Sequence, residues 1–159
     1  MSAVVANCAM NRERQLAGLT VTPASWGSIR LRWSRPRSAP VAAWEPARSF
    51  DLITCVHGLH YIGDKLGLLT RAAGWLTPAG RLAADLDLSA IRVGGPAATR
   101  RLRSRLRAAG FAYSPRRHQI TCSGRRDVRL PYAYLGADDS AGPGYTGQPA
   151  VTSYYTEAP

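Results

Sequence analysis

The chain has 159 residues, 45% of them hydrophobic, and a formal net charge of +11. That length suits one ordinary domain with a real core and is too short for two comfortable ones. No run reaches the roughly 18 uninterrupted apolar residues of a membrane span, and residues 1–10 lack a basic leader followed by a long apolar stretch, so a cytoplasmic protein with no membrane partner is the expectation.

The charge is unevenly placed: residues 1–49 carry a net +5, 50–95 are neutral, 96–131 carry +9 and 132–159 carry −3. Lys65 is the only lysine, so the basicity is almost wholly Arg, set among abundant Ala, Gly and Pro. Such a composition suits a GC-rich coding bias as well as selection for phosphate. A solvated basic surface and a nucleic-acid-facing patch therefore both stay open. Cys8, Cys55 and Cys122 form no CxxC pair and sit near no His at zinc-finger spacing, which favours unreactive reduced thiols.

In the N-terminal third, Ala3 to Ala6 reads as the end of a strand, Asn11 to Ala17 as a short helix, and Leu19 to Thr22 as another strand ended by Pro23. Residues 34–49, punctuated by Pro36, Pro40 and Pro46, read as a connecting loop. The clearest strand is Phe50 to Val56, an apolar and β-branched run suited to burial on both faces. Asp64 can then cap a helix whose apolar positions Leu66, Leu69, Ala73 and Leu76 follow helical spacing. Residues 77–80, Thr-Pro-Ala-Gly, end that helix, and Arg81 to Leu86 reads as the next strand, which makes 50–86 a βαβ unit.

A second helix is expected from Ala97 to Ala109, with Leu102 and Leu106 on its apolar face, arginines around them, and Gly110 as its C-terminal cap. His118 to Cys122 and Val128 to Leu135 then read as an antiparallel hairpin, with Pro131 marking a bulge or an edge. The segment from Gly136 onward is rich in Gly, Pro, Asp and Ser. It is either a disordered tail or one anchored across the domain by Tyr145, Tyr154 and Tyr155.

The stretch from Phe50-Asp-Leu-Ile through His57-Gly-Leu-His60-Tyr61-Ile-Gly-Asp64, followed by Leu76-Thr-Pro-Ala-Gly-Arg-Leu82, resembles the middle of class I S-adenosylmethionine-dependent methyltransferases. The helix ending Ala109-Gly110-Phe111 and the hairpin after it are similar to that family's last helix and antiparallel end strands. The resemblance implies an α/β fold with an incomplete Rossmann-like sheet, mostly parallel, closed by a C-terminal antiparallel hairpin. On it, 1–135 is a partial methyltransferase-like domain and 136–159 a tail.

By that resemblance Cys55, Val56 and His57 would line the cofactor, Trp26 would stack on its adenine, and Ser25 stands where the family places an Asp against the adenine amino group. His60 and Tyr61 would face the substrate as a base or a shape element; packing of the loop is the alternative. The family's glycine-rich turn has no counterpart before Phe50, where Gly18 and Gly27 stand alone. The expectation is therefore a truncated methyltransferase impaired in S-adenosylmethionine binding. It would lack a central strand and would have to rearrange its sheet or take a strand from an oligomeric partner. The alternative is an Arg-rich, non-catalytic nucleic-acid-binding or scaffolding module on the same fold. Asp85 and Asp87 share a strand face without a further ligand in view, so no metal is expected.

Overall fold

The computed structural model describes residues 3–7, 44–56, 58–94, 98–138, 142, 147 and 150–158. These form eight strands and two α-helices: β1 (Ala3–Asn7), β2 (Phe50–Val56), α1 (Lys65–Gly74), β3 (Leu76–Asp85), β4 (Ile91–Val93), α2 (Ala98–Ala108), β5 (Phe111–Ser114), β6 (Gln119–Ser123), β7 (Tyr132–Asp138) and β8 (Thr152–Glu157). Short 3-10 turns at Gly58–Tyr61 and Leu88–Ala90 follow β2 and β3. No helix among the described residues is long and apolar enough to cross a membrane.

The strands make two sheets, one ordered β1-β2-β3-β6-β5 and one ordered β4-β8-β7. The α/β class holds, but the expected mostly parallel sheet does not. β1, β2 and β3 run parallel, whereas β6 is antiparallel to both β3 and β5. In the smaller sheet β4 and β8 are parallel, and β7 is antiparallel to β8. The short connection 115–118 permits only an antiparallel β5–β6 pair, whereas the antiparallel β3–β6 and β7–β8 pairs join strands separated by longer stretches of chain.

The first strand answers the question of the missing neighbour. Ala3 to Asn7 pairs residue for residue with Leu52 to Val56, so the outer edge of β2 is filled from within this chain. The helix expected at 11–17, the strand expected at 19–22 and the loop up to residue 43 lie outside the described residues.

The βαβ unit forms as expected, with one shift. Asp64 caps α1 by accepting from the Gly67 amide at 2.9 Å, and Leu66, Leu69, Ala73 and Leu76 are buried. The next strand, however, begins at Leu76, because Thr77 to Gly80 make an irregular excursion inside the ladder. Phe50 pairs with Leu76, and two residues later Leu52 already pairs with Arg81. Trp44 stacks against Phe50 at 6.0 Å and meets Trp75 edge-on at 5.2 Å, closing the amino end of this unit.

The expected hairpin of 118–135 is replaced by one at 111–123. Phe111 to Ser114 pairs with Gln119 to Cys122 around the turn 115–118, where His118 takes a positive φ of 47°. After β6 the chain leaves the sheet: the Arg125 and Arg126 amides donate to the Thr77 and Ala73 carbonyls. β7 then joins the other sheet, with Pro131, which has no amide to donate, just before it.

The core lies on one face of the larger sheet. Ile53, Cys55, Leu82, Ala84, Ile120 and Cys122 belong to one buried cluster with α1, α2 and Tyr155. β2 is not buried on both faces as its composition suggests, since Leu52 and Val56 on its other face are 37% and 46% exposed. Cys55 and Cys122 are buried free thiols, and Cys8 lies outside the described residues.

The excursion in β3 depends on Gly80. A Cβ there would stand 2.6 Å from the Phe50 carbonyl oxygen and 3.0 Å from the Thr77 nitrogen, both backbone atoms with little freedom to retreat. Gly80→Ala is expected to lower the unfolding free energy by about 1–3 kcal/mol, measured by urea denaturation. An unchanged midpoint would show that the excursion relaxes freely.

Candidate functional site

In open α/β sheets ligands collect at the carboxyl ends of the parallel strands. Here that edge carries the loop after β2, the start of α1 and the residues after β3. The structure adds the segment entering β8, whose Tyr155 anchors this part of the chain across the domain, one of the two expected alternatives.

Lys65, the first residue of α1, is 1% exposed. Its ammonium donates to the Ile62 carbonyl at 2.8 Å, to the Val151 carbonyl at 2.6 Å and to Ser153 Oγ at 2.9 Å. Three donors thus meet three acceptors, which is the condition for burying an ammonium at tolerable cost. Burial still pushes the Lys65 pKa down to about 8, with the Asp87 charge acting in the opposite direction.

Next to it, the Tyr155 hydroxyl donates to Asp64 Oδ1 at 3.1 Å and accepts from the Leu66 amide at 3.0 Å. Burial raises the Tyr155 pKa, so the phenol stays protonated. Asp64 is therefore engaged both by its own helix and by β8. Gly67 leaves room for this arrangement, because a Cβ there would collide with the Asp64 carboxylate. The Val151 amide donates to the His60 carbonyl at 2.7 Å, which lays the segment entering β8 on the 3-10 turn.

His60 is buried at 4% exposure and Tyr61 is half-buried, both in the turn that the segment entering β8 covers. Cys55 is buried on the core face of β2, and Val56 is exposed on the opposite face, so these two point apart. Ser25, Trp26 and His57 lie outside the described residues. Asp85 is half-buried. Asp87 is buried and accepts from the Ser89 amide at 2.8 Å and its hydroxyl at 2.7 Å, so it caps the 3-10 turn Leu88–Ala90. Among the described residues no group of three or more His, Cys, Asp or Glu side chains is placed to hold a metal ion.

Sequence reasoning passed over Lys65 and Ser153. A signal for the first was present: a lone lysine in an arginine-rich chain, at the first turn of an amphipathic helix. Ser153 had none, since its partner is 88 residues away.

Because the Lys65 pKa is lower in the folded chain than the ordinary 10.5, the unfolded chain binds more protons between pH 8 and 10.5. The cost of burying the charge is complete below pH 8 and is relieved as pH rises through that window. The unfolding free energy of the wild type relative to Lys65→Met is expected to grow by about 2 kcal/mol from pH 7 to about 9.5. Parallel urea titrations of the two proteins check this, and a difference independent of pH would rule it out. Comparison with protein-family models, with characterised proteins and with solved structures finds no match to this chain.

Proposed function

We propose that this chain is a class I methyltransferase-like α/β protein whose S-adenosylmethionine site is impaired, with the loop after β2 as the retained part of that site. The observation that carries the reading is the parallel β2–α1–β3 unit with residues 58–64 at its carboxyl end, followed by α2 and the antiparallel β5–β6 pair. A helix followed by an antiparallel pair after the βαβ unit is what the resemblance implies, although the pair lies at 111–123, β4 of the smaller sheet precedes α2, and the larger sheet is mixed. A cytoplasmic location goes with the reading.

Impairment follows from the sequence after β1. β1 flanks β2, yet it is followed by Cys8-Ala-Met-Asn-Arg12, with no glycine before Gly18. A glycine-rich segment lets the backbone approach a bulky adenosyl group, and the sequence from Cys8 to Arg12 supplies no glycine for that. On this reading the backbone of Cys55 and Val56, with His57, Ser25 and Trp26, would border the donor, and His60 and Tyr61 would border the acceptor. Methyl transfer from a sulfonium asks mainly for alignment, so a buried His60 is no obstacle to a positioning role.

The experiment is a titration of the isotope-labelled protein with S-adenosylmethionine and S-adenosylhomocysteine, followed by amide NMR shifts. Weak binding is expected, with a dissociation constant above about 1 mM, and shifts confined to residues 25–26 and 55–61. No shift at saturating ligand would remove the methyltransferase reading. Micromolar binding that Trp26→Ala or His57→Ala weakens at least about tenfold (1.4 kcal/mol) would remove the impairment.

A further inference from the structure

We infer that one flank of α2, continued by the β5–β6 turn, is a binding strip for the phosphate backbone of a nucleic acid. Leu102 and Leu106 are wholly buried and fix the rotation of the helix. At 3.6 residues per turn, Arg100, Arg103 and Arg107 then lie along one flank and Arg101 and Arg105 along the other. All five are exposed. From Arg100 to Arg107 the first flank extends about 10 Å along the axis.

The strip continues beyond the helix. Gly110 has a φ of 87° and turns the chain back, so that β5 runs alongside α2 in the reverse direction. Arg103 Cζ lies 5.7 Å from the Tyr113 ring centroid, which puts this flank on the β5 side. Three residues further, the turn carries exposed Arg116 and Arg117 towards the Arg100 end of the helix.

Charge separates this flank from its opposite. The sequence has no Asp or Glu between Asp87 and Asp127, so the strip contains no acid of its own. On the far flank Arg101 pairs with Glu157 at 3.0 Å. Guanidinium groups match phosphate oxygens with forked hydrogen bonds and hold their charge at any physiological pH. Between the arginines the outward positions are Ser104 and Ala108, which offer no apolar anchor for a membrane surface. A nucleic-acid backbone is therefore the polyanion that fits.

The test is fluorescence anisotropy on a single strand of about 20 nucleotides and on a duplex of the same length, at about 50 and 200 mM salt. The wild type is expected to bind either form, with affinity falling at least about tenfold between the two salt concentrations. Arg100→Gln/Arg103→Gln/Arg107→Gln should reduce the logarithmic salt slope by about 3, and Arg101→Gln/Arg105→Gln by less than about 1, with circular dichroism unchanged in both. Absence of binding at the lower salt, equal losses from the two variants, or association only with phosphatidylglycerol vesicles would each overturn the inference.

Discussion

A buried ammonium governs how this molecule is put together. Lys65 sits where the helix start, the loop after β2 and the C-terminal strand converge, and each of its three protons is committed to a different acceptor. In an apolar interior such a charge is tolerated only if every donor is met at once. That requirement fixes the approach of β8. With β8 placed, Tyr155 reaches Asp64 and Leu66, and the segment before it reaches His60. The smaller sheet is thus tied to the larger one by polar contacts as well as by packing.

The same arrangement gives the carboxyl edge of the sheet its character. Residues that the resemblance would assign to a substrate-facing loop are partly enclosed by the chain itself, and the acidic pair after β3 is divided between a half-exposed Asp85 and a capping Asp87. Among the described residues this edge presents backbone groups and enclosed side chains more than exposed acids and bases. Among the described residues the densest exposed charge stands elsewhere, on α2 and the turns of the β5–β6 region, away from the buried polar contacts that join the sheets.

Local rules read much of this fold from the sequence. The Asp64 cap, the apolar stripe of α1, the burial of Leu102 and Leu106 and the Gly110 reversal all follow from spacings of four residues or fewer, where helix periodicity is informative. The hairpin was misplaced because Gln119 to Cys122 has apolar runs on either side, and choosing Phe111 to Ser114 over 128–135 as its partner is a tertiary decision. The strand at Thr152 to Glu157 was hidden by a Gly- and Pro-rich approach, and its anchors are long-range. Of the site, the arginine count of α2 was plain, whereas its division into two unequal flanks needed the rotation of the helix and the position of Glu157.

The bond between Tyr155 and Asp64 joins residues 91 positions apart, and this has a temporal meaning. During synthesis the helix start and the 3-10 turn leave the ribosome long before the strand that completes them exists. Lys65 must wait in water, hydrated, until residue 153 is available, and only then can the carboxyl edge close. Closure of this edge is thus a long-range contact, available only once the chain has grown 88 residues beyond Lys65.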